Sequence, residues 1–215
     1  MSKIIAFLDV DGVLLNFNEM AIKVINQTYG TNHSLEHIPQ NWGFDELIPK
    51  DANPNLWWER MPDNWPGLLK PLPYAPEYLL RLQRQGVRVI LITSLNPKQL
   101  PSRIAGLAKC GMKYDEIYAV PYGMKKSDFI NPILERHNPR WSFFLDDKAE
   151  NAFDVAKNCE ISVVYTLDYA YNRECLKDID RRDQEVDFSL RLIVCPNLVT
   201  AYEESLKFVQ TKSFL

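Results

Sequence analysis

Apolar residues in this chain recur in two rhythms. Ile4 to Leu8 is an unbroken apolar run that passes straight into Asp9-Val10-Asp11-Gly12. A short run with no alternation, closed by a turn residue, predicts a central strand of a parallel sheet covered on both faces. The spacing then becomes helical through Val13, Leu14, Phe17, Met20, Ala21, Val24 and Ile25, and Gly30 fits the end of that helix. From Pro76 onward the two rhythms alternate. Pro76, Tyr78, Leu79 and Leu82 with Gly86 predict a helix, and Val87 to Ile92 a strand ending at Thr93-Ser94. Ile104, Leu107 and Ala108, between Pro101 and Gly111, predict another helix. Ile117 to Val120 is a weaker strand with Lys125-Lys126 beyond it, and Ser142 to Leu145 a strand ending at Asp146-Asp147. A helix over Ala149 to Asn158, a strand over Ile161 to Tyr165, a strand over Leu192 to Cys195 and a helix over Leu198 to Val209 complete the pattern. Tyr169 to Asp187 is rich in charge and reads as a solvated helix or loop.

One stretch breaks the alternation. Between Pro39 and Pro76 lie eight of the fourteen prolines and four of the five tryptophans, at 42, 57, 58 and 65. Proline interrupts helix interiors and central strands, so this cannot be regular βαβ structure. The expected organisation is an α/β core over residues 1–15 and 74–215, a Rossmann-like parallel sheet, with a small, mostly helical cap over residues 16–73 inserted after the first strand.

Composition narrows the function. A chain of 215 residues with 46% hydrophobic content can hold one α/β domain plus a modest insertion. A net charge of -3 gives no basic field for a nucleic acid polymer, and no apolar run is long enough to span a membrane. Cys110, Cys159, Cys175 and Cys195 are scattered without a CxxC pair, which argues against a disulfide frame or zinc site. Without a signal-peptide pattern at the amino terminus, a cytoplasmic protein is expected. A homodimer stays open.

Candidate chemistry collects at strand ends. Aspartate is a poor strand former and costly to bury unpaired, so Asp9 and Asp11 at the end of an apolar strand call for a reason. A divalent cation such as Mg²⁺ supplies one; the plainer alternative makes Asp11-Gly12 a turn and Asp9 a cap. Four predicted strands carry, at or just past their carboxyl ends, Asp9 with Asp11, Thr93 with Ser94, Lys125 with Lys126, and Asp146 with Asp147. Parallel strands bring those ends to one edge, where open α/β sheets bind ligands.

That order resembles the haloacid dehalogenase-like (HAD) hydrolase superfamily. Asp9-Val10-Asp11-Gly12-Val13 looks like its first motif, Thr93 or Ser94 its second, Lys125 or Lys126 its third, and Asp146-Asp147 its fourth. The early insertion, the phrase Asp-Gly-Val-Leu-Leu-Asn-Phe and the Trp57-Trp58 pair are most similar to the 5'(3')-deoxyribonucleotidases. The resemblance implies a Mg²⁺-dependent phosphatase acting on a small phosphate ester, most similar to a 5'-nucleotide, with a sugar phosphate as the alternative substrate. A non-catalytic phosphate-binding module is a third reading, but it would have no need of Asp11.

The chemistry asks for positive charge at the phosphoryl oxygens and a positioned attacker. Asp9 is the expected nucleophile, forming an aspartyl-phosphate, and Asp11 the acid that protonates the leaving oxygen. Mg²⁺ would be held by Asp9, the backbone carbonyl of Asp11, and Asp146 or Asp147. Thr93 is expected to donate its hydroxyl to the phosphoryl group, with Ser94 beside it. Lys126 is favoured over Lys125 for the balancing charge. The resembling nucleotidases also make Lys98 and Lys109, on the helix after the second motif, candidates. They imply a base-stacking Phe17. Trp42, Phe44, Trp57, Trp58 and Trp65 either stack a nucleobase or build the core of the insertion. His33, His37 and His137 stand alone and are given no role.

Overall fold

The structure is a computed structural model that describes residues 3–182 and 191–213. Its centre is β1 (Ile4–Leu8), whose five residues are all buried. Because strand side chains alternate, Ile5 and Phe7 join one apolar cluster, and Ile4, Ala6 and Leu8 join the other. The remaining strands are β2 (Arg88–Ser94), β3 (Glu116–Val120), β4 (Trp141–Leu145), β5 (Val163–Leu167) and β6 (Leu192–Cys195). They form one sheet in the order β3-β2-β1-β4-β5-β6, with every pairing parallel. The strand order reverses between β1 and β4. The carboxyl ends of those two strands therefore open the crevice in which such sheets bind ligands.

Helices cover both faces, as a fully buried parallel sheet requires. They are α1 (Phe17–Tyr29), α2 (Leu56–Glu59), α3 (Ala75–Arg84), α4 (Leu100–Lys109), α5 (Ser127–His137), α6 (Ala149–Asn158), α7 (Arg173–Arg182) and α8 (Leu198–Ser213). Ile130 and Ile133 of α5 and Val155 of α6 close one face; Leu79 and Leu82 of α3 and Leu206 of α8 close the other. Within the charged stretch from Tyr169, Arg173 to Arg182 is helical, and residues 183–187 lie outside the described residues.

Three local expectations change. Val13, Leu14 and Leu15 are buried in a turn, where Leu14 and Leu15 both donate backbone N–H to the Val10 carbonyl. The first helix starts only at Phe17, where the Asn16 side chain caps it by accepting from the Glu19 N–H at 3.0 Å. Residues 16–73 are largely irregular: a single 3₁₀ turn at Asp45–Leu47 lies between α1 and the four-residue α2, and another at Trp65–Gly67 follows α2. Their apolar side chains, among them Phe44, Leu47 and Trp65, belong to the same cluster as β1 and α8. Finally, α5 forms although the sequence pattern predicts no helix there, and it carries Pro132 in its interior.

At the sheet edge, Glu116 of β3 ties together β2, β3 and α5. Arg88 donates to it at 2.9 and 3.2 Å, and Arg136 at 2.6 Å. Partial burial raises its carboxyl, but the Tyr118 hydroxyl, Arg88 and Arg136 outweigh that and bring it to about 2. A depressed folded value means that this stabilisation is complete above the ordinary 4.5 and drains away as pH falls toward about 2. Thermal melts of Glu116→Gln are therefore expected to show a shallower acid limb than wild type across that interval. Parallel limbs would remove Glu116 from the acid response.

Candidate active site

The chain leaves β1 through Asp9, whose backbone N–H still bonds the Leu145 carbonyl of β4 at 2.9 Å. Asp146, directly after β4, likewise donates its N–H to the Tyr165 carbonyl of β5 at 3.2 Å. The sheet thus fixes both carboxylates by main-chain pairing. Asp9, Asp146 and Asp147 are all buried, and each offers one oxygen within 4.8 Å of the others; it is the one such group among the described residues. Lys126, 1% exposed at the head of α5, places Nζ 2.5 Å from Asp9 and 2.6 Å from Asp146. Burial disfavours its charge, yet Asp146 and Asp9 outweigh that and hold it well above the ordinary lysine range. Asp146 also accepts from the Lys148 N–H at 2.8 Å and from Asn151. Asp147 accepts from the Tyr171 hydroxyl at 2.8 Å.

Gly12 belongs to this packing. Its φ of +78° is a left-handed conformation, and a Cβ there would stand 2.1 Å from Asp147 Oδ2. Only glycine lets the β1 loop lie against the second carboxylate.

Burial dominates the proton affinities. Asp9 is pushed up to about 7 by burial, with Lys126 opposing and Asp146 and Asp11 adding to the rise. Burial, then the charges of Asp9 and Asp146, raise Asp147 well above its ordinary value. One lysine does not balance three buried carboxylates. An oxygen-only donor set with surplus negative charge fits a hard divalent cation. The site therefore has the donor chemistry for Mg²⁺.

Asp11 stands apart from that group. Its carboxylate faces Arg103 of α4, whose Nη2 lies 2.7 Å from Oδ1 and 2.6 Å from Oδ2. Burial raises Asp11 and Arg103 partly offsets the rise. The second motif divides by the pleat of β2: Ser94 lines the cavity, whereas Thr93 is fully buried outside the lining with Oγ1 unpartnered. Lys125 points away from the site; it is 67% exposed and sits 3.8 Å from Asp154. Lys98 and Lys109 are exposed as well. Thus α4 does send a cation inward, but it is Arg103, and it goes to Asp11.

Above the carboxylates is a cavity of about 620 Å³. Asp9, Asp11, Asp146 and Asp147 lie on its floor, and Phe17, Trp42, Trp57, Trp58 and Trp65 line it from residues 16–73. Phe17 packs its ring 5.3 Å from Trp65 and 6.1 Å from Trp58. Trp58, 40% exposed, meets Tyr122 of the loop after β3 at 6.3 Å. Phe44 is fully buried behind Phe17 and Trp57, and serves as core. The three histidines stay outside: His33 bonds the Leu47 carbonyl, His37 pairs with Glu46, and His137 with Glu116. Sequence reasoning missed Arg103, Asn151, Tyr122 and Tyr171. For Arg103 a signal existed, a charge among the apolar positions of a helix beside the tight packing residue Gly106.

Solved structures share this architecture. D,D-heptose 1,7-bisphosphate phosphatase from B. bronchiseptica, complexed with magnesium and phosphate, matches with a TM-score of 0.56 at 15% identity, over 95% of this chain and 98% of that one. A candidate phosphoglycolate phosphatase from Lactobacillus delbrueckii subsp. bulgaricus gives 0.63 at 13% identity, over 97% and 99%. CbbY from Rhodobacter sphaeroides, in complex with phosphate, gives 0.52 at 15%, over 92% and 95%. At such identities the likeness concerns the fold. No curated protein matches the chain. A parallel sheet in this order, with aspartates closing β1 and β4 and a lysine between them, together with the family match that follows, makes the chain a phosphoric monoester hydrolase of the HAD type. A family model described as "5' nucleotidase, deoxy (Pyrimidine), cytosolic type C protein" matches residues 3–194, and the chain belongs to that family. No described helix is long and apolar enough to cross a membrane.

Proposed function

We propose that this chain hydrolyses 5'-(deoxy)nucleotides with Mg²⁺ as cofactor, through an aspartyl-phosphate on Asp9, and that residues 16–73 act as the cap over the reaction. The observation that carries the reading is the buried Asp9, Asp146, Asp147 and Lys126 group beneath an aromatic-walled cavity of about 620 Å³, a size suited to a small ligand. Asp9, Asp146, Asp147 and the Asp11 carbonyl would hold the cation, which supplies charge neutralisation at the attacking and phosphoryl oxygens. An Asp9 oxygen attacks phosphorus while Asp11 gives its proton to the departing ester oxygen. Water then attacks the aspartyl-phosphate, and Asp11 takes its proton back. Lys126 keeps Asp9 oriented, and Ser94, which lines the cavity, offers its hydroxyl to the phosphoryl group. The test is hydrolysis of nucleoside 5'-monophosphates and sugar phosphates, with Mg²⁺ and with chelator. Higher kcat/KM on a sugar phosphate, or activity indifferent to chelation, would refute the reading.

Phe17 supplies a sharper test of the nucleotide assignment. Loss of stacking worth about 1 to 3 kcal/mol predicts that Phe17→Ala raises KM for a nucleoside 5'-monophosphate roughly tenfold. Because Phe17 also packs on Trp65, truncation costs stability in addition, a loss common to all substrates. KM for ring-free glycerol phosphate is expected to move far less. Equal shifts would take Phe17 out of the base pocket.

A further inference from the structure

Arg103 is unusual for an arginine in a molecule of this size. Its side chain is 0% exposed, and Nε and Nη1 have no hydrogen-bond partner. Its polar contact is the chelation of both Asp11 oxygens by Nη2, and its guanidinium lies 5.2 Å from the centre of the Trp65 ring. Burying a guanidinium with two donor nitrogens unmet is costly unless the remaining interaction is strong. Arg103 does not line the cavity, whereas Asp11 and Trp65 do. The cation thus grips Asp11 from the dry side and leaves the carboxyl's other edge facing the cavity.

The helix that carries Arg103 is set in place tightly. A Cβ on Gly106 would come within 2.8 Å of the Gly67 Cα, and one on Gly67 within 2.8 Å of the Ser102 carbonyl. Ser102 donates to the Asn64 carbonyl and Gln99 to the Asp63 carbonyl, each at 3.0 Å. So α4 is pressed backbone to backbone against the turn bearing Trp65. That contact fixes where the guanidinium stands, and hence where Asp11 can point.

We infer that Arg103 is the positioning residue for the proton transfer made by Asp11, holding its carboxyl toward the ester oxygen that leaves phosphorus. The inference rests on the phosphatase reading above. In the step concerned, the bond from phosphorus to the ester oxygen breaks, its electron pair stays on that oxygen, and the Asp11 proton moves there. A basic alkoxide, such as a nucleoside 5'-oxygen, depends on that proton; p-nitrophenolate, a stable anion, hardly does. Misplacing the acid therefore harms substrates in proportion to the basicity of their leaving groups.

The experiment compares kcat/KM of wild type and Arg103→Met on p-nitrophenyl phosphate, on phenyl phosphates with more basic leaving groups, and on a nucleoside 5'-monophosphate. The expected result is a loss of about 100-fold on the nucleotide, a few-fold on p-nitrophenyl phosphate, and a steeper dependence on leaving-group basicity. In an Asp11→Asn background the same substitution is expected to add no further selectivity. Arg103→Lys keeps a cation at the site and is expected to show the same trend, so the comparison survives if Arg103→Met does not fold. Uniform losses across the series, or selectivity that persists without Asp11, would overturn the assignment. Wild type inert toward every phosphate monoester would instead overturn the phosphatase reading itself.

Discussion

Asp9→Asn is expected to lower phosphatase turnover by roughly 10⁴- to 10⁶-fold, the scale on which loss of a covalent nucleophile is felt. The amide is nearly isosteric and can still accept from Lys126, which lies 2.5 Å from Asp9. It also removes one of three carboxylates crowded within 4.8 Å of one another. The fold should survive, with a melting temperature within a few degrees of wild type. Steady-state kinetics and a thermal melt check both halves. Rapid acid quench with labelled substrate adds a direct readout: wild type should trap phosphate on protein, released by hydroxylamine as an acyl phosphate is, and the variant should trap none. Retention of a tenth of the activity, or trapping undiminished by the substitution, would rule Asp9 out as attacker.

Lys126→Met should do comparable damage by another route. The lysine compensates Asp9 and Asp146 where all three side chains are buried. Deleting one partner of a buried charge group typically costs about 3 to 5 kcal/mol, because the charges left behind are uncompensated. Denaturant melts in chelator are expected to show a loss of that order, and turnover to fall about 1,000-fold. Added Mg²⁺ should restore more stability to the variant than it gives wild type, since the cation then takes over the missing compensation. A variant as stable as wild type in chelator would mean that the carboxylates are protonated and that Lys126 holds nothing in place.

What the sequence could and could not reveal follows from how locally each feature is determined. The end of β1 was legible because a buried strand must be apolar throughout, which leaves Asp9 and Asp11 conspicuous. The same holds for Asp146 and Asp147 after β4. Lys126 stands between Asp9 and Asp146 and Lys125 does not, but adjacent lysines are alike in a sequence. They are told apart only by how α5 leaves the loop, one turned into the sheet end and the other toward Asp154. The helix α5 itself was hidden by Pro132 and by Asp128, Asn131 and Glu135, which blur its apolar stripe. On α4 the stripe was misread: Ile104 and Ala108 are exposed, while Arg103, Gly106 and Leu107 turn inward. Tertiary contact decides that face, through Gly67 on one side and Asp11 on the other. Residues 16–73 announced their irregularity through proline; α1 was legible from its periodicity, but the short helical turns after it are held by aromatic packing.

The abutment of Gly67 on Gly106 bears on how a ligand gets in. Main chain resting on main chain has no rotamers with which to yield, so the Trp65 side of the entrance behaves as a fixed jamb. Trp58 packs 6.1 Å from Trp65 on that side and 6.3 Å from Tyr122, and both Trp58 and Tyr122 reach solvent. The indole of Trp58 then serves as a built-in fluorophore for following entry in real time.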